Sequence, residues 1–220
     1  GKSVISFGIF GKYLENPIEN FIQEGSIEVI QQYQFRNIRQ AVIMGAEAEI
    51  RTNLGKFAPG TILEKFSVFA NASYMRSRAN ADFTKLFLKE GMQPDGSSLR
   101  RLQGQVDWML NCGIYFNDEK TGIETGFFLN QTGKKIVIVG TGPDTYPDFW
   151  DFPRTVLDYQ FAWKLNPKIQ FKFILQNLLN QPLQRSQFLD GRTSYQSGRD
   201  IIQYRAQNGF QWNLTLGINF

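Results

Sequence analysis

Two carboxylates two residues apart, Glu47 and Glu49, are the pair in this chain best placed for acid–base chemistry. On a β-strand they share a face, about 7 Å apart at a rise of about 3.3 Å per residue. Arg51 follows on that face, so the pair also reads as part of a charged, solvated wall. The chain has no His, which removes the usual general base. Its one cysteine, Cys112, has no partner for an internal disulfide, and without His there is no metal-ligand cluster. Set in an alternating strand, Cys112 reads as a small apolar residue. No glycine-rich phosphate loop follows a strand and opens a helix. The sequence therefore offers no apparatus for catalysis and calls for no cofactor.

The elements that must carry these residues are strands. From Phe210 to Phe220, Phe210, Trp212, Leu214, Leu216, Ile218 and Phe220 alternate with Gln211, Asn213, Thr215, Gly217 and Asn219. One face is apolar and bulky, while the other is small or polar without charge. Upstream, Ile5, Phe7, Ile9 and Tyr13 oppose Ser6, Gly8 and Lys12; Val42, Met44, Ala46, Ala48 and Ile50 oppose Gly45, Glu47, Glu49 and Arg51. The stretch Ile27 to Asn53 reads as one extended strand with a slip around Asn37 to Gln40, or as two strands joined by a tight turn at Arg36-Asn37. Further strands are expected at about 62–78, 105–116, 123–139 (bent at Gly133), 155–165, 169–176 and from near Ile201 to the end. That makes about eight long strands and no convincing helix. A mean hydropathy of -0.32 beside 15% aromatic residues is what such two-faced strands produce.

The connections alternate between long (14–26, 79–98, 140–152, 181–199) and short (54–61, 117–122, 166–167). Long loops therefore gather at one end, an asymmetry found in transmembrane barrels with short periplasmic turns and long extracellular loops. Several strands also exceed the roughly 5 to 6 residues usual in soluble proteins and the roughly 9 to 11 that span a bilayer. The carboxylates Glu47, Glu49, Asp107, Glu124 and Asp158 all avoid the apolar faces, where a charge would cost up to about 2–4 kcal/mol near the bilayer midplane. The expected fold class is all-β, an antiparallel transmembrane β-barrel. A soluble β-sandwich or a lipocalin-like calyx is the competing reading. A net charge of +4 without basic blocks gives no argument for nucleic acid.

Several motifs then resemble one family, the C-terminal part of TonB-dependent outer-membrane receptors. Gly11-Lys12-Tyr13-Leu14-Glu15-Asn16-Pro17-Ile18 resembles their aromatic strand ending in Asn-x-Ile, and Gly45-Ala46-Glu47-Ala48-Glu49 their Gly-Val-Glu-x-Glu strand. Asn177-Leu178-Leu179-Asn180 is similar to their Asn-Leu-Phe-Asn signature, with Leu179 in place of Phe. The terminal Phe220 matches the aromatic residue read by the barrel-assembly machinery. The resemblance covers almost the whole chain.

It implies that residues 1–220 are the C-terminal portion of a 22-stranded barrel in the bacterial outer membrane. Such a barrel takes up a scarce ligand such as an iron chelate, cobalamin, an oligosaccharide or a peptide, energised by TonB through a plug that is not recognisable in this sequence. Implied partners are outer-membrane lipid and lipopolysaccharide, the TonB system, the assembly machinery, and a surface lipoprotein or companion barrel chain. A complete eight-stranded barrel, acting as anchor, adhesion protein or narrow porin, is the alternative architecture. In a receptor, function lies in the extracellular loops. Tyr146, Phe149, Trp150 and Phe152 offer flat rings for sugar faces or hydrophobic ligand parts, or for packing against neighbouring loops. Arg185, Arg192, Tyr195 and Arg199 would meet anionic ligands or lipopolysaccharide, or simply solvent.

Overall fold

The computed structural model describes residues 3–23, 32–80, 82, 85–86, 88, 91–92, 98–141, 146–187, 197–198 and 200–218. Their strands, in chain order, are β1 (Val4–Glu15), β2 (Ile18–Gln23), β3 (Gln32–Asn37), β4 (Gln40–Asn53), β5 (Phe66–Ala79), β6 (Gly91–Met92), β7 (Ser98–Leu99) and β8 (Trp108–Asp118). There follow β9 (Ile123–Thr132), β10 (Lys135–Ile138), β11 (Phe149–Asp151), β12 (Arg154–Asn166), β13 (Ile169–Gln176), β14 (Leu183–Gln187), β15 (Ile201–Ala206) and β16 (Gln211–Ile218). Eight of them form one antiparallel sheet in the order β1-β4-β5-β8-β9-β12-β13-β16. Each strand lies beside its sequence neighbour in the sheet, a meander whose first and last strands are paired on one side only.

The smaller sheets continue this ladder above a line of kinks. β10-β11-β14-β15 repeats the order of β9, β12, β13 and β16 one storey higher. Between β1–β4 and β2–β3 the ladder continues, Asn16 donating its N–H to the Arg39 carbonyl at 3.1 Å and Ile38 to that of Pro17 at 3.0 Å. The stretch expected as one strand from Ile27 to Asn53 is thus divided. β3 pairs with β2 in the upper storey, and β4 begins after a break at Ile38-Arg39. The long connections at 14–26, 140–152 and 181–199 likewise contain β2, β11 and β14. The kinks use left-handed backbone: Asn16, Asn80, Asn177 and Asn180 have φ between 46° and 57°, a region asparagine tolerates because its short side chain bonds locally. Three of these, Asn16, Asn80 and Asn177, directly follow the ends of β1, β5 and β13.

Cross-strand register places side chains on two surfaces. One carries Ile5, Phe7 and Ile9 of β1, Ala46 and Ala48 of β4, Tyr74 of β5, Phe127 of β9, Tyr159 and Phe161 of β12, and Leu214 and Leu216 of β16. Among the described residues nothing covers it: Ile9 is 80% exposed and Leu216 62%. Each such side chain left in water forfeits about 1.5–3 kcal/mol, so this surface calls for an apolar solvent. Buried clusters occur instead at the upper end, where both faces are covered. Val42 packs with Leu86 and Leu99 on the outer side, while Ala41, Ile43 and Ala79 pack with Ile38 and Leu102 on the inner side. That double burial explains why the alternation fails at Ala41-Val42-Ile43.

Candidate functional site

The inner surface carries polar rungs by register. Ser6, Glu49, Asn71, Asn111 and Asn130 fall on one rung across β1, β4, β5, β8 and β9, and Gly8, Glu47, Ser73 and Met109 on the next. Asn130 donates its side-chain N–H to Asn111 Oδ1, and Arg51 pairs with Glu49 at 3.3 Å. Both members of that pair are open to solvent, as in a wetted wall. Asp158 and Glu124 also lie on this side, Asp158 capping the backbone N–H of Asn177 at 2.8 Å. The carboxylate pair Glu47/Glu49 is therefore part of a hydrophilic wall.

At the upper end a segment of chain, residues 100–107, crosses this wall. Leu102 N–H donates to Ser77 Oγ at 3.1 Å and Met75 N–H to the Asp107 carbonyl at 2.8 Å, which seats the segment on β5. Its other side is held by β2. Glu19, 1% exposed, accepts from both terminal nitrogens of Arg100 and from Gln103 N–H at 2.9 Å. Gln103 in turn bonds the Asn20 backbone and donates to the Val137 carbonyl at 2.6 Å. The Arg100 guanidinium also lies 5.5 Å from the Phe21 ring centroid. Burying a carboxylate is costly unless it is paired and hydrogen-bonded, and Glu19 is both.

The residues singled out by sequence are distributed over this upper storey. Phe149, 3% exposed, is buried against Ile22 and Ile138, with the half-buried Tyr146 ring 5.8 Å away. Phe152 is half-buried and its N–H bonds the Gln184 carbonyl at 3.0 Å. Arg185 bonds Asp151 Oδ1 at 2.9 Å through its Nε. Trp150 is half-buried and carries two cations over its ring: Lys134 Nζ at 4.8 Å and the Arg101 guanidinium at 5.6 Å. Arg101 is itself paired with Asp107. Arg192, Tyr195, Arg199 and Phe220 lie outside the described residues.

Structure thus joins Trp150 to Arg101 and Lys134, neither of which sequence reasoning selected. Lys134 follows the Gly133 bend and Arg101 is the second residue of the 100–107 crossing; only tertiary folding brings them to Trp150. The Glu19–Arg100 pair was equally hidden, its members being 81 residues apart. The signal that would have found it is an acidic residue at an alternating position inside the supposed linker 14–26.

No protein-family profile and no curated protein sequence matches this chain. Solved structures do. The ferric-catecholate import receptor Fiu of Escherichia coli K12, in its closed form, superposes with a TM-score of 0.57 and 13% identity, covering 99% of this chain and 25% of its own length. The outer membrane transporter YddB of Escherichia coli superposes with a TM-score of 0.56 and 11% identity, covering 100% of this chain and 31% of its own. The chain spans between a quarter and a third of the length of these transporters. Its fold is that of the β-barrel wall of TonB-dependent outer-membrane transporters, the group its motifs resemble.

Proposed function

We propose that this chain contributes eight strands to the barrel wall of an outer-membrane active-transport receptor. Its apolar face would meet lipid, its polar face the lumen, and a plug would couple the barrel to TonB. The observation that carries this reading is the open sheet. Its strand order runs from β1 to β16 without closing, and both edge strands keep large apolar side chains exposed. In a bilayer an open edge leaves backbone groups without partners, so further strands must complete the ladder. The cargo would be a scarce ligand such as an iron chelate, cobalamin, an oligosaccharide or a peptide. Trp150 with Arg101 and Lys134 is the cluster best suited to an anionic or flat portion of it, since cations and an aromatic face together bind such groups.

The test is the intact mass of the polypeptide carrying these residues in a detergent extract, with boiled and unboiled gel lanes. The expected mass is roughly three to four times 25.3 kDa, from the share of each transporter that the chain covers, with a heat-modifiable band. A 25.3 kDa heat-modifiable species without a companion chain would instead identify a complete eight-stranded barrel.

A further inference from the structure

A polar hollow of about 220 Å³ opens on the inner surface, where β12, β13 and β16 meet the kinks at Asn177 and Gly209. Arg154, Val156 and Asp158 of β12 form one wall, being alternate residues on one side of the strand. Across from them the register sets Gln176 of β13 opposite Gln211 of β16. Above, Asn177 donates Nδ2 to the Gly209 carbonyl at 2.7 Å and so fixes the remaining wall. The hollow is therefore shaped by strand pairing and by the start of the Asn177-Leu178-Leu179-Asn180 motif.

Its two ends differ in chemistry. At one end stands Arg154, whose Nε is buried and has no hydrogen-bond partner among the described residues. At the other end Asp158 Oδ1 accepts from the Asn177 backbone N–H at 2.8 Å, which sets the two residues side by side. Asn177 is 8% exposed, and its Oδ1 is buried with no donor among the described residues. One end therefore offers donors and a positive charge, the other acceptors and a negative charge. Four residue steps separate Arg154 from Asp158, about 13 Å of strand, with Val156 between them. Buried donors and acceptors left without partners are costly, so the hollow calls for an occupant that brings an acceptor to one end and a donor to the other.

We infer that this hollow binds a small zwitterion of amino-acid size, its carboxylate on Arg154, its ammonium between Asp158 and Asn177 Oδ1, and its aliphatic part against Val156. A guanidinium gives a carboxylate paired, charge-assisted hydrogen bonds, and an ammonium brings the donors that the acceptor end lacks. Size points the same way. The volume is that of about seven waters and lies below the roughly 300–1,000 Å³ of pockets for drug-sized ligands. A molecule with only one charge leaves one end of the hollow without its counter-charge. The inference rests on the reading of the inner surface as a wetted lumen, and the site is separate from the Trp150 cluster.

The experiment takes the receptor assembly containing this chain in detergent and titrates it calorimetrically with L-alanine, L-leucine and γ-aminobutyrate, zwitterions of different length and bulk. Propionate and propylamine, which carry one charge each, are the comparators. At least one zwitterion should bind, at least about tenfold more tightly than either comparator, the difference that one hydrogen bond to a charged group makes. Arg154→Gln and Asp158→Asn should each weaken that zwitterion by at least about tenfold, and Arg154→Lys should recover part of the loss. Arg154→Gln keeps the test decisive if Asp158→Asn, at the residue that caps the kink, fails to assemble. Absence of binding by all three zwitterions, or binding that Arg154→Gln leaves unchanged, would mean that water alone fills the hollow; it would overturn the site and leave the membrane wall standing. Propionate binding as tightly as the zwitterions would also overturn it, since the acceptor end would then be idle. A protein that disperses without detergent would overturn the wall reading, whatever the titration shows.

Discussion

Single residues set the thickness of this wall. Gly45 on the inner face lies under the Phe10 ring, and a Cβ built there would stand 2.5 Å from Phe10 Cζ and 2.8 Å from the Tyr74 carbonyl oxygen. Gly113 repeats the arrangement beneath Phe69, at 2.6 Å from the ring. In both cases an aromatic side chain from the adjacent strand covers a glycine that has no side chain to pack. Gly45→Val should therefore destabilise the sheet by about 1–3 kcal/mol through overpacking, read as a lower midpoint in urea unfolding from detergent; an unchanged midpoint would show that the ring moves aside freely. Facing gives a second prediction. Leu214 pairs with Phe173 on the apolar surface and Thr215 with Lys172 on the polar one. Leu214→Arg should impede membrane assembly, at a cost of up to about 2–4 kcal/mol, while Thr215→Arg assembles. Equal yields of the heat-modifiable form would refute the assignment of faces.

Elements carry the next level of specification. Strands β1 and β13 each end at a left-handed asparagine before the chain continues in β2 and β14. At β13 the kink is the Asn177–Asn180 turn, where Asn177 donates Nδ2 to the Gly209 carbonyl at 2.7 Å and thereby ties the ascending kink to the descending one. Gly209 has φ 74° and is free to take that shape. The 100–107 crossing depends on a different device, the Glu19 carboxylate. Glu19→Gln leaves Arg100 without its counter-charge in a site where removing one partner costs about 3–5 kcal/mol. The expected outcome is faster amide hydrogen exchange in residues 100–107, with exchange in β8 and β9 unchanged. If the crossing keeps its protection, Ser77 and Gln103 alone suffice to hold it.

At the scale of the whole molecule the open sheet is the governing fact. Eight strands in meander order carry a lipid-compatible outside and a wetted inside, yet among the described residues their two outermost edges stay unpaired. On the proposed membrane-wall reading this strand pairing is completed in the membrane, where the resemblance to TonB-dependent receptors implies a role for Phe220 as an assembly signal. Deletion of Phe220 should slow appearance of the heat-modifiable form in a reconstituted assembly reaction. Equal rates with and without it would remove that role.

Much of this was legible in the chain because a strand shows its two solvents at every second residue. The alternation from Phe210 to Ile218, the eight long strands and the carboxylates set against the apolar face follow from that period alone. Legibility ended where both faces become buried or the backbone leaves the β region. At Ala41-Val42-Ile43 a two-sided core erased the alternation, and at Asn16-Pro17 and Ile38-Arg39 the kink made β2 look like linker and β3 like the start of β4. The contacts at the mouth were beyond reach for a further reason. Trp150 with Arg101 and Lys134, and Glu19 with Arg100, are joined by long-range folding of the upper storey over the wall, and no local period records such a meeting. Local periodicity determined the wall and its two surfaces; only tertiary packing decided which charges stand together at its mouth.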